Sequence, residues 1–178
     1  MVEAGMRRTI GLLVGVAVIT TIAVVAIVAL TLPATAAITK GQPVPNITGT
    51  TLDGQPFDLA ALRGRPVVIN FWGPSCVPCR TEFPLLAEKA REHAAEGLVI
   101  VGVLTDDAPD DARAFVAQYG ATWPTVIDPG AVLKTVYHVL GRPQSYFVDR
   151  GGILRSIQIG EVQDRDFERQ YGLISGGA

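Results

Sequence analysis

Both cysteines of the chain lie in one stretch, Phe71 to Pro84, FWGPSCVPCRTEFP, at Cys76 and Cys79. A pair at this spacing can be a disulfide staple, half of a metal site, or a redox couple. As a staple it closes a very small loop and removes little entropy from the unfolded chain. A domain of this size also builds its core without one. A closed zinc site takes four ligands, and His93 and His138 stand apart in separate predicted helices, so each reads as an exposed helix residue and no metal site is expected. Redox chemistry suits the placement better. Cys76 follows an apolar run and a turn and opens a helix, where free N–H groups and the positive dipole end favour a thiolate. Cys79 sits one turn later, within reach of a mixed disulfide formed at Cys76. Pro78 stiffens the first turn, where a missing N–H costs nothing. Such exchange needs no cofactor.

The elements around the pair have to deliver it to a surface. RPVVINFW, Arg65 to Trp72, is a continuous apolar run bounded by Gly64 and Gly73, and reads as a strand buried on both faces. From Cys76 to about Glu96 the pattern is helical, with Pro84 inside it. GLVIVGVLT is a second buried strand, and APDDARAFVAQYG a helix with an acidic first turn and a glycine stop. WPTVID is a short edge or connecting strand, followed by a short helix opened by Pro129. QSYFVD, the turn RGG and ILRSIQI form a strand–turn–strand hairpin, and Asp164 to Leu173 a closing helix. Upstream, KGQPVPNITGT is an extended tether, and Asp53-Gly54 between short apolar stretches signals a first hairpin. Alternating strands and helices call for parallel neighbours, and the late hairpin adds antiparallel strands. The expected fold class is therefore α/β, with a mixed central sheet flanked by helices and an N-terminal β-hairpin.

The rest of the chain is set apart by composition. Charge is nearly balanced, 15 Lys+Arg against 17 Asp+Glu, which argues against a nucleic-acid partner. No charge falls between Arg8 and Lys40, and Ile10 to Leu32 makes a helix of roughly 34 Å, enough for a single transmembrane helix. Arg7 and Arg8 precede it, so the positive-inside rule places the N-terminus in the cytoplasm and the remainder outside the cell membrane. The run exceeds the usual length of a cleaved signal peptide's apolar core. Residues 1–40 are thus expected to hold the cytoplasmic N-terminus, the anchor and the start of the tether. Residues 41–178 form the extracytoplasmic domain.

NFWGPSCVPCRTEFP, Asn70 to Pro84, resembles the active-site segment of membrane-anchored thioredoxin-like proteins of the TlpA/ResA type. The resemblance runs from about Pro43 to the last hairpin and takes in GLVIVGVLTDD, FVAQYGATWPTVIDP and VLGRPQSYFVDRGG. It implies a thioredoxin-like fold, with Cys76 as nucleophile and Cys79 as resolving cysteine. It further implies that Glu82 handles protons, and that Pro143 is a cis-proline facing the pair, with the Arg142 main chain offered to the substrate. Trp72, four residues before Cys76, belongs with this substrate-binding set. The same resemblance implies protein disulfides or dithiols as substrates, apocytochrome c among them, and a membrane thiol reductase as electron donor. Asn70 stands where cytoplasmic thioredoxins carry a buried aspartate, and an amide cannot act as a base. Ser75 departs from the pattern, since these proteins typically have tryptophan just before the first cysteine.

Two further activities fit parts of the pattern. A disulfide-forming oxidase shares every motif, and reduction potential decides between the directions. A peroxiredoxin-like thiol peroxidase would want a threonine three residues before its cysteine, where this chain has Gly73. A binding module with an inert cysteine pair would show no thiol reactivity.

Overall fold

The computed structural model describes residues 18–24 and 38–176. The chain divides into two compact units, Met1–Ala36 and Ala37–Ala178. In the first, residues 18–24 are helical and exposed. Among the described residues no helix is long and apolar enough to cross a membrane, and most of the expected span from Ile10 to Leu32 lies outside them.

The second unit is built on five strands. β3 (Val67–Trp72) occupies the centre of a sheet ordered β5-β4-β3-β6-β7, with β4 Val99–Leu104, β5 Thr125–Ile127, β6 Gln144–Val148 and β7 Leu154–Ile159. β3, β4 and β5 are parallel, β6 runs antiparallel to β3, and β7 runs antiparallel to β6 and so returns to the direction of β3. This is the mixed sheet expected from the alternating elements and late hairpin. β1 (Thr48–Thr50) and β2 (Pro56–Asp58) form a separate two-stranded sheet, turned by Gly54 at φ 81.

Side chains of β3 alternate between the two faces, as strand geometry requires. Ile69 and Phe71 pack with Val101, Val103, Tyr137 and Tyr146 on one face. Val68 packs with Leu86, Ile100, Phe147 and Phe167 on the other. That second face is covered by α1 (Val77–Glu92) and α4 (Asp164–Ser175). A third cluster, around Trp72, Phe83 and Phe115, lies under the cysteines, and joins α1 to α2 (Pro109–Tyr119).

Boundaries differ from the sequence expectation in two places. α1 stops at Glu92 rather than near Glu96, because turns lead from His93 into Gly97 at φ 87. The helix expected from Pro129 is split. A short 3₁₀ turn, Pro129–Ala131, precedes α3 (Val132–Val136), and Gly130 and Ala131 take positive φ between them. The Asp128 carboxylate accounts for the break, since it accepts from the Leu133 and Lys134 amides at 2.8 and 2.9 Å and so starts α3 afresh.

Candidate active site

Cys76 is the N-cap of α1, and its sulfur accepts the Cys79 amide at 3.2 Å. The two cysteines are joined as a disulfide. The apolar strand β3 ends at Trp72, and a turn closed by the Cys76 amide on the Gly73 carbonyl leads into the helix. Cys76 retains 8% of its surface, whereas Cys79 has none. Cys76 is thus the cysteine of the pair open to a partner, and Cys79 is closed off. Val77, between them in the sequence, is 73% exposed.

Glu82 lies one turn beyond Cys79 and is buried, at 2% exposure. This excludes the ordinary solvated first-turn carboxylate as a description of it. Asn70 Nδ2 donates to Glu82 Oε1 at 2.8 Å, and the Val162 amide donates to Oε2 at 3.0 Å. Burial pushes the Glu82 carboxyl up to about 7, against these two hydrogen bonds, which favour the ionised form. A carboxyl at that level exchanges its proton near neutrality, as proton transfer to and from thiols requires. The sequence pattern missed the role of Asn70. Its strand alternation with Val68 and Trp72 puts it on the α1 side, and the β3–β6 register sets it against Ser145, to which it donates at 2.9 Å.

The Arg142–Pro143 bond is cis. Phe71 pairs with Gln144, so continuing the β3–β6 register brings Pro143 opposite Trp72. The ladder of β6 begins at Gln144, which leaves the Arg142 main chain outside it. The Arg142 side chain is paired with Asp107 and reaches Ser75, the neighbour of Cys76. Trp72 departs from its expected place among the substrate-binding residues. It has no exposed surface, because its ring packs against Phe83 and Phe115 at centroid distances of 4.6 and 5.1 Å. It is the wall beneath the disulfide, and a partner cannot touch it.

The matching family model is the AhpC/TSA family, over residues 40–157. This chain belongs to the AhpC/TSA family. Among curated relatives, the thiol-disulfide oxidoreductase ResA of Bacillus thuringiensis is 33% identical over 128 residues, 72% of this chain and 74% of that one. The thioredoxin-like protein YneN of Bacillus subtilis is 31% identical over 139 residues, 76% of this chain and 81% of that one. Among solved structures, a thiol:disulfide interchange protein DsbE of Chlorobium tepidum superposes with a TM-score of 0.73 at 28% identity, covering 79% of this chain and all of that one. The similarity thus extends well beyond Asn70 to Pro84, over most of the folded unit. With a Cys76/Cys79 pair at a helix start on this fold, the AhpC/TSA-family chain is a thiol–disulfide oxidoreductase.

Of the two histidines of this family member, His138 is exposed as expected, just beyond α3, and His93 departs from its expected exposure and isolation. His93 is the C-cap of α1, its side chain only 13% exposed, with its ring 3.9 Å from that of Tyr171 and its nitrogens 3.0 and 3.2 Å from Glu96 and Glu168. Glu92, His93 and Glu168 come together here. The Lys89 ammonium already contacts Glu92, Asp164 and Glu168, at 2.7 Å each.

Proposed function

We propose that this chain is a membrane-anchored, extracytoplasmic reductase of polypeptide disulfides, acting on the haem-attachment cysteines of apocytochrome c. The observation that carries the exchange chemistry is the pairing of Cys76 at a helix start with a buried Glu82 whose carboxyl burial pushes up to about 7, and the reductive direction follows the TlpA/ResA resemblance. The Cys76 thiolate attacks one sulfur of the partner's disulfide, breaking that bond and forming a mixed disulfide while the other partner sulfur leaves as a thiolate. The Cys79 thiolate then attacks Cys76 Sγ. This forms the intramolecular disulfide and frees the partner's second thiolate. Two electrons pass to the partner, whose thiolates take up the two protons given up by the Cys76 and Cys79 thiols, and Glu82 takes the proton from Cys79 and passes it on. A membrane thiol reductase returns the pair to the dithiol form by the same exchange.

The uncharged run from Ile10 to Leu32, behind Arg7 and Arg8, supports the anchored, outward-facing topology. Gly73 speaks against a thiol peroxidase. A Cβ there would stand 2.0 Å from Arg142 Nη1 and 2.1 Å from Asp107 Oδ2, so a threonine would have to displace the Arg142–Asp107 pair.

The reduction potential of the folded unit tests the direction. A value near that of thioredoxin, about −270 mV, supports a reductase, and one near the oxidant DsbA, about −120 mV, overturns it in favour of disulfide formation. A periplasm-dependent reporter fused after Ala178 tests the topology: it is active if the domain is exported. Loss of covalently attached haem on deletion, restored by an external thiol, tests the substrate.

A further inference from the structure

Three strand ends converge beside the disulfide. Continuing the β3–β6 register past Phe71 and Gln144 brings Gly73 opposite Arg142, and β4 delivers Thr105 to Asp107 to the same place. The side chains there close a ring. Arg142 Nη1 donates to the Asp107 carboxylate and to the Thr105 carbonyl. Arg142 Nη2 reaches Ser75 Oγ at 3.3 Å, and that hydroxyl donates to Asp107 Oδ2 at 2.9 Å. The Arg142 and Asp107 side chains are only 17% and 12% exposed, so the pair is better shielded than a surface salt bridge.

Gly73 makes room for the ring. Any Cβ at that position would collide with both charged groups. Ser75, which departs from the tryptophan of the TlpA/ResA pattern, is therefore a member of the ring. A tryptophan has one N–H to donate and no oxygen to accept from Arg142.

The ring ties the residue before Cys76 to the residue before Pro143. These are the two flanks between which a polypeptide disulfide has to be held. We propose that Asp107, acting through Arg142 and Ser75, is a positioning residue that sets how tightly a polypeptide disulfide docks at Cys76. The proposal rests on the oxidoreductase reading above. Peptide on either side of the substrate's cysteine pairs with main chain at Arg142, in the manner of an added strand. A small aromatic disulfide has no such peptide. Its reaction depends on Cys76 alone and is indifferent to the ring.

The test compares the full chain, reduced, on insulin and on 5,5′-dithiobis(2-nitrobenzoate), in the wild type and in Asp107→Asn, Ser75→Ala and Ser75→Thr. Removing the carboxylate charge is expected to raise KM for insulin about tenfold, with kcat and the rate constant for the small disulfide within about twofold of wild type. Ser75→Ala should shift KM in the same direction by less, and Ser75→Thr, which keeps the hydroxyl, should restore it. Unfolding midpoints identify any variant that fails to fold, and Ser75→Ala, which removes a single oxygen, decides the matter if Asp107→Asn does. Equal losses on both substrates would overturn the proposal, as would an unchanged KM for insulin in folded variants. A wild type that reduces neither substrate would overturn the oxidoreductase reading, and the proposal with it.

Discussion

The Asn70 amide donates to the Glu82 carboxylate across 2.8 Å, and so joins the end of the central strand to the helix that carries both cysteines. Neither group reaches solvent. The carboxyl is held by an amide that cannot take its proton. Cytoplasmic thioredoxins resemble one another in placing an aspartate where Asn70 stands. Here that strand position carries an amide, and the buried acid beside it, Glu82, lies on the helix.

Glu82→Gln removes that acid while keeping the shape of the side chain. Between the ordinary carboxyl value of 4.5 and about 7, the folded protein binds a proton at Glu82 that the unfolded chain releases. Stability therefore falls as pH rises through that window, by up to roughly 3 kcal/mol. In Glu82→Gln this slope should disappear, as measured by urea midpoints from pH 4 to 8. The pH profile of thiol alkylation should also lose its inflection near 7, since a neighbouring carboxylate resists a second negative charge. Unchanged profiles would remove Glu82 from the proton chemistry.

The unequal exposure of the two sulfurs predicts a division of labour. In the reduced protein Cys76 should alkylate first, and Cys79→Ser should accumulate mixed disulfides with partners, resolved on non-reducing gels. Cys76→Ser should accumulate none, because Cys79 has no exposed surface. Equal alkylation of the two thiols would count against the assignment.

Gly73→Thr tests the packing on which the peroxidase reading fails. The new Cβ would meet the Asp107–Arg142 pair within 2.1 Å. Overpacking of this kind costs about 1–3 kcal/mol, and no gain in peroxide turnover should accompany it. Thermal unfolding and a peroxide consumption assay read the two outcomes separately.

His93 offers a second pH dependence, of opposite origin. Burial lowers its pKa, but the Glu96 and Glu168 carboxylates outweigh this and hold it above the usual 6.5. Both acids are held below their ordinary value, Glu96 chiefly by His93 and Glu168 chiefly by Lys89. A raised imidazole pKa stabilises the fold fully below 6.5, and the contribution is lost as pH rises through the folded value. His93→Gln should therefore cost most near pH 5.5, at most about 1 kcal/mol, with the gap narrowing by pH 8. Lys89 still bridges α1 to α4 throughout. A gap that does not vary with pH would reduce His93 to its ring contact with Tyr171.

Much of this molecule is local in origin, which is why its sequence can be read. Apolar runs at Val67–Trp72, interrupted only by Asn70, and at Val99–Leu104 have no stable place except inside a sheet covered on both faces. Helix starts and stops at Cys76 and Gly120 follow from backbone chemistry within a few residues. The spacing of Cys76 and Cys79 at a helix start is likewise a local fact, and it carries the redox reading by itself. The contacts that tune that chemistry are not local. Glu82 meets Val162 across 80 positions, and Arg142 meets Ser75 across 67. No periodicity or propensity encodes such pairs, because strand register and helix packing bring them together only in the folded chain. The burial of Trp72 was decided the same way. An aromatic residue at a strand end can face solvent or core, and only the arrival of Phe83 and Phe115 from two different helices closed the surface over it.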